Sequence, residues 1–172
     1  MDKLSAAIVI LSQGVPFIQL GQDFLRTKPR ILKADEEPND VNIFEENSYN
    51  SPDYTNAVRW DRKVKYADVF RYYKALIALR RSSTLFRLSM KWEVEQKLSF
   101  WRKNDEQFII FSLFDNSESF VVAFNPYQED RYFDLPEGSW QLRLDADGNS
   151  HSEQVGGNVC CPGISCVVYK RA

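Results

Sequence analysis

Histidine occurs once in the 172 residues, at His151, inside a stretch rich in Gly and Ser. Cysteine is confined to Cys160, Cys161 and Cys166, in one short segment beside Pro162. A tetrahedral zinc site would need a fourth ligand at a suitable spacing, and none is there. No metal and no cofactor is expected, and the cysteines read as buried thiols in β-strands, with at least one unpaired because their number is odd. Neither sign of charge prevails: 22 Lys and Arg stand against 24 Asp and Glu, for a formal net charge of −2. Without a basic footprint to draw a phosphate backbone, nucleic acid is not an expected partner. Long apolar runs are missing too, so no membrane partner is expected, since a spanning helix needs about 20 such residues. Met1-Asp2-Lys3 followed by the apolar run 4–11 has the outline of a signal peptide. The run stops at Ser12-Gln13 and continues into Gly14-Val15-Pro16 without a small-x-small cleavage site, so a buried helix is the reading.

What is present is apolar and aromatic matter, 44% and 14% of residues, enough for a compact core. Periodicity divides the chain in two. Residues 4–11 are too uniformly apolar for a surface helix and are expected to be packed on most sides. Residues 15–20 read as a short buried strand with Pro16 near its start. A long polar segment follows, with Pro29, Pro38 and Pro52 and the acidic Asp35-Glu36-Glu37. Loops of that length in compact domains are functional or disordered as a rule. Tyr66, Val69, Phe70, Tyr73, Leu76 and Ile77 recur at three- and four-residue steps, predicting an amphipathic helix over 66–81, with Arg80 and Arg81 suited to its C-terminal dipole.

Beyond this point the pattern changes. Leu88, Met90, Trp92 and Val94 alternate as in a strand, yet Ser89 could cap a helix presenting Met90, Val94 and Leu98 on one face. Strands are predicted at 107–114, 120–124, 131–133, 141–144 and 164–169. Between them stand Asp115-Asn116, Asn125-Pro126, Glu137-Gly138, Asp147-Gly148-Asn149 and Gly156-Gly157. Closely spaced strands with such turns indicate an antiparallel sandwich, packed against the 66–81 helix. Trp60, Trp92, Trp101 and Trp140 could form a sugar-stacking face, but scattered tryptophans are ordinarily core. Asp105-Glu106, Asp115 and Asp145-Ala146-Asp147-Gly148 lack the ligand series of a calcium loop and read as solvated turns.

A single strand with flanking helices cannot cover both faces of a parallel sheet, so the first half looks cut from something larger. Ser12-Gln13-Gly14-Val15-Pro16-Phe17-Ile18-Gln19-Leu20-Gly21-Gln22-Asp23-Phe24-Leu25-Arg26-Thr27-Lys28 resembles the eighth barrel strand and following loop of type I pullulanases, in the α-amylase superfamily. Asn47-Ser48-Tyr49-Asn50-Ser51-Pro52-Asp53 resembles the motif in the next loop of those enzymes, and the run 69–80 resembles the helix that closes their barrel. The resemblance covers about the first half in detail and the second only in pattern and position; it also favours helix over 89–98. It implies an α+β fragment: the last strand-helix unit of a (β/α)8 barrel over 1–84, then an antiparallel β-sandwich C-terminal domain over 85–172. Two departures stand out, Gln19 where the superfamily often carries an aromatic or histidine, and an insertion over roughly 29–46.

The resemblance also implies a chemistry. Glycosidases of this kind need a nucleophilic carboxylate, an acid and a stabilising aspartate around one sugar ring. The family takes them from barrel strands four, five and seven, which would precede Met1, and its His-Asp pair has no counterpart because His151 is followed by Ser152. No catalytic residue is therefore expected in this chain. Loops at the C-terminal end of a barrel line the active site, so Asn47, Tyr49, Asn50 and Asp53 are candidate substrate contacts, with Arg26 a weaker one that could equally be an ion-pair partner. The same residue types are ordinary turn formers. The implied function is a C-terminal part of an α-1,6-glucan debranching hydrolase, whose partner in the intact enzyme would be pullulan or a starch or glycogen branch. A non-enzymatic carbohydrate-binding or structural β-sandwich is the alternative. Severed from a barrel, 4–20 should either self-associate or stay mobile.

Overall fold

The computed structural model describes residues 1–39, 43–101 and 107–172. Packing divides it into two compact units, Met1–Phe17 with Arg71–Ala172, and Ile18–Phe70.

The larger unit is built on a six-stranded antiparallel sheet, and all its ladders run antiparallel. Its strands are β1 (Leu98–Trp101), β2 (Ile109–Phe114), β3 (Ser119–Asn125), β5 (Trp140–Leu144), β6 (Gln154–Val155) and β8 (Ser165–Arg171), in spatial order β1-β2-β3-β8-β5-β6. A second sheet pairs β4 (Arg131–Asp134) with β7 (Asn158–Cys161). The central strands β3 and β8 carry unbroken apolar runs, Phe120-Val121-Val122-Ala123-Phe124 and Cys166-Val167-Val168-Tyr169, because both faces of the main sheet are covered. Ile110, Val121, Ala123, Trp140, Val167 and Tyr169 form one core with Phe133, Val159 and Cys161 of the small sheet. That is the sandwich. A register shift between Leu142 and Leu144 leaves Arg143 as the extra residue of a bulge.

The opposite face of the main sheet meets helices. Helix α1 (Asp2–Leu11) lies against β3 and β8, and Phe86, in a short 3-10 turn, meets Phe120 edge-on at 5.0 Å between ring centroids. Helix α1 turns Leu4, Ala6, Ala7, Ile10 and Leu11 inward, but Ile8 and Val9 are exposed, so it is packed on one side and not on most sides. After α2 (Asp53–Asn56) and α3 (Arg62–Lys65) comes α4 (Ala67–Ser82), close to the predicted 66–81. Tyr72, Tyr73, Leu76 and Leu79 are its buried apolar positions in the larger unit. Gly148 takes a positive φ of 88° where a Cβ would lie 3.0 Å from the Tyr72 ring, so only glycine fits that turn against α4. Helix α5 (Lys91–Lys97) settles the ambiguous stretch in favour of helix, and it is Glu93, not Ser89, that reaches back to the Met90 N–H.

The predicted strand over 15–20 is not there. Those residues adopt no regular structure, and Val15 and Phe17 are 83% and 89% exposed. A strand exists through hydrogen bonds to a neighbouring strand, and none runs beside it among the described residues. The cysteines are free: Cys160 and Cys161 in β7 and Cys166 in β8. Burial pushes the Cys161 thiol up to about 12 and Cys166 well above its ordinary value, so both are inert by desolvation.

The joint between α1 and α4 depends on one buried cation. Arg80 Nη1 donates to the carbonyls of Ile10 (2.6 Å) and Ser12 (2.7 Å), and Nη2 to that of Gly14 (2.5 Å). These are carbonyls at and just beyond the C-terminus of α1, which a helix leaves without internal partners. Replacing Arg80 by Met should cost about 1–3 kcal/mol, because the buried Ile10 carbonyl then loses its donor while the exposed Ser12 and Gly14 carbonyls can turn to water. Arg80→Lys should recover only part of it, since an ammonium cannot span all three acceptors. Urea unfolding of the three proteins measures this, and equal midpoints would refute it.

Candidate functional site

The candidate contacts lie in the smaller unit, 18–70, whose order comes from polar bonds more than from a large core. Among its described residues the buried hydrophobic side chains are Phe24 and Val69, and the Phe24 ring lies 5.6 Å from that of Trp60. Gly21 adopts a positive φ of 85° and a Cβ there would fall 2.9 Å from Arg26 Cβ, so the turn at 21–26 closes only around glycine. The insertion is pinched at its neck. Glu45 N–H donates to the Lys28 carbonyl and Arg30 N–H to the Ile43 carbonyl, both at 2.9 Å, with a bridge between Pro29 and Phe44.

The segment 47–53 is then fixed from below. Ser48 is buried and its hydroxyl accepts from Lys28 Nζ at 2.6 Å. Asn56 Nδ2 donates to the carbonyls of Ser48 and Ser51, both at 2.9 Å, and Thr55 Oγ1 donates to the Pro29 carbonyl at 2.9 Å. With Ser48 drawn inward, its neighbours turn out. Asn47, Asn50 and Asp53 are exposed, and Tyr49 is 97% exposed. Asn47 spends its Oδ1 on the Tyr49 N–H at 3.3 Å, an Asx turn, while Asp53 opens α2. The structure thus brings Asn47, Tyr49, Asn50 and Asp53 onto one short exposed segment held by Lys28 and Asn56.

Arg26 has a different place. Its Nη1 donates to the Leu20 carbonyl at 3.3 Å and its Nη2 to the Asn56 carbonyl, so it braces backbone and forms no ion pair with a carboxylate among the described residues. Arg62 Nε does the same for the Leu25 carbonyl at 2.8 Å. Lys28, Ser48 and Asn56 are what the sequence reading missed; as common turn residues they carry no signal until the fold brings them together.

The tryptophans split. Trp140 is core and donates to the Pro136 carbonyl at 2.8 Å, and half-buried Trp101 donates to Ser112 Oγ at 2.7 Å, whereas Trp60 and Trp92 are exposed, against the core expectation. The acidic turns are internally satisfied. Asp145 takes hydrogen bonds from the Asp147 and Asn149 N–H groups at 2.8 Å each and faces His151 Nε2 at 3.0 Å. Partial burial pushes its pKa up, but the bonds from His151, Asn149 and Asp147 outweigh that and hold it below the usual carboxylate value. Asp115 is likewise lowered, first by the Ser117 N–H. Asp105 and Glu106 lie outside the described residues.

Comparison with known proteins points one way. No family model matches the chain. It is 35% identical over 117 residues to the pullulanase of Bacillus subtilis, covering 68% of this chain and 14% of that protein. Among solved structures it superposes on the pullulanase of Bacillus acidopullulyticus with a TM-score of 0.85 and 32% identity, over 99% of this chain and 20% of that one. The pullulanase of Anoxybacillus sp. LM18-11 complexed with maltotetraose gives a TM-score of 0.81 at 27% identity, over 99% and 23%. The chain thus spans about a seventh of the curated relative it matches.

If Asn56 is the brace of the exposed segment, Asn56→Ala should leave the Ser51 carbonyl without its donor and the Ser48 carbonyl with the Ser51 N–H alone, at a cost of about 1–2 kcal/mol. Amide exchange at Ser51, whose N–H bonds the Ser48 carbonyl at 3.2 Å, should quicken while β3 and β8 stay protected. Unchanged exchange at Ser51 would remove Asn56 from that role.

Proposed function

We infer, from the premise that this chain corresponds to a C-terminal part of a type I pullulanase, that it serves an α-1,6-glucan debranching hydrolase. In this role it contributes an edge of the substrate cleft and the β-sandwich, while the bond-breaking carboxylates come from elsewhere. The observation that carries the reading is the outward turn of Tyr49 with Asn47, Asn50 and Asp53 on a segment braced from beneath. Amide and carboxylate groups beside an apolar ring suit the alternating hydroxyl and C–H faces of a glucose unit. The occurrence of a maltotetraose complex among the structural relatives supports an α-glucan as the ligand. The same kinship supports a division by descent into 1–84 and 85–172.

Hydrolysis by the chain alone is not part of this proposal. Among the described residues the carboxylates Asp115 and Asp145 are tied into turns. Glycoside hydrolysis requires a nucleophile and an acid opposed across one sugar ring. The purified chain should therefore release no reducing sugar from pullulan above a buffer blank. Turnover that co-purifies with the chain through two orthogonal columns would overturn the reading.

The row of exposed apolar residues Ile8, Val9, Val15, Phe17 and Leu20 supports a second element of the proposal: this stretch seeks cover, and two copies of the chain associate through it. Isolated exposed apolar residues are normal, and five of them between residues 8 and 20 are more than isolated occurrences. Light scattering should give a mass above 20.1 kDa that rises with concentration and falls when Phe17 and Leu20 are changed to Ser. A monomer at all concentrations would remove self-association from the proposal.

A further inference from the structure

The insertion brings a surface that the Asn47–Asp53 segment does not have by itself. Arg30, Ile31 and Leu32, at its start, and Tyr54, which follows Asp53, line a recess of about 580 Å³. It is shallow and largely open to solvent, so a ligand there would be covered on one side only. Tyr54 is 55% exposed, yet its position is fixed: the Arg59 guanidinium lies over its ring at 5.4 Å from the centroid, and Arg59 Nη2 donates to the Tyr54 carbonyl at 2.7 Å. A ring held before a ligand arrives binds at lower entropic cost. The wall formed by the insertion is held as well. Arg30 Nη2 meets Glu36 Oε1 at 3.0 Å, and the other carboxylate oxygen, Oε2, accepts from the Lys33 N–H at 3.0 Å.

We propose that this recess is a binding subsite for one neutral glucosyl unit of an α-glucan, an addition made by the insertion to the contact segment beside it. The inference rests on the reading of Asn47–Asp53 as a glucan contact. Ile31, Leu32 and the Tyr54 ring offer an apolar floor for the C–H face of a pyranose. Arg30 offers N–H donors beyond the one given to Glu36, since a guanidinium carries five. Its charge is already balanced by Glu36, so an anionic ligand would have to displace a carboxylate, whereas a neutral hydroxyl would not. Tyr54 follows Asp53 directly in α2, so the recess begins at the end of the exposed segment. An insertion that lines such a recess would extend the length of glucan recognised.

The test uses the full chain, isotope-labelled, titrated with maltotetraose and followed by amide resonances. Residues 47–53 and 30–32 should shift together. Tyr54→Ala should weaken the affinity about fivefold, the scale expected for losing one aromatic stacking contact, and Tyr54→Phe should keep it. Leu32→Asp, which sets a charge in the recess, should weaken it similarly. Resonances of the β-sandwich serve as the folding control. Shifts at 47–53 with none at 30–32, or an unchanged affinity in both Tyr54→Ala and Leu32→Asp, would overturn the subsite and leave the glucan-contact reading standing. No shift anywhere with maltotetraose would overturn both. Inorganic phosphate moving 30–32 at lower concentration than maltotetraose would overturn the assignment to a neutral sugar.

Discussion

One guanidinium decides how the chain leaves its first helix. Arg80 gathers the carbonyls of Ile10, Ser12 and Gly14, so a single side chain from α4 fixes both the end of α1 and the direction of the backbone beyond it. A buried cation without a carboxylate is costly, and three carbonyl dipoles are the compensation offered here. With α1 held in this way, it can cover one face of the main sheet at β3 and β8, strands that could not otherwise carry apolar residues on both sides. The sequence places Arg80 at the end of α4, where its own helix dipole would have been the expected partner; the structure turns it toward another helix instead.

Where period and turn chemistry agreed, the fold could be read in advance. The runs at 120–124 and 164–169 are apolar and bounded by Asn, Pro and Gly, and they became β3 and β8. Three strands escaped notice for separate reasons. β1 follows α5 without any turn residue, so nothing in the pattern marks where helix gives way to Leu98-Ser99-Phe100-Trp101. β6 has two residues, too few for any periodicity. In β7, Val159 and Cys161 face the core while Asn158 is exposed, an alternation hidden behind two glycines and two adjacent cysteines. The error at 15–20 has the opposite cause. The residues have strand-like composition, but strand formation is decided by a neighbour, and composition does not supply one.

The candidate site was legible by resemblance rather than by chemistry. Asn47, Tyr49, Asn50 and Asp53 do share an exposed segment, but nothing in their spacing says that Ser48, between two of them, would be pulled inside by Lys28 twenty positions earlier. The pinched neck at Lys28–Glu45 and Arg30–Ile43 explains how the insertion is accommodated. With its ends already adjacent, lengthening the loop adds only a small logarithmic entropy cost, so new side chains can be presented without loosening the segment that follows.

The bulge at Arg143 has a consequence for how this strand can change. Before it, Trp140 and Leu142 point to the core shared with the small sheet; after it, Leu144 is buried outside that core. An uninterrupted strand would send all three side chains to the same side, because alternate residues share a face. The supernumerary arginine therefore works as a parity switch, letting one five-residue strand feed two hydrophobic layers. Deleting that one residue would remove no buried atom, yet it would reverse the facing of the chain from Leu144 onward. Sequences related to this one should thus tolerate substitutions at position 143 far more readily than a change in length there.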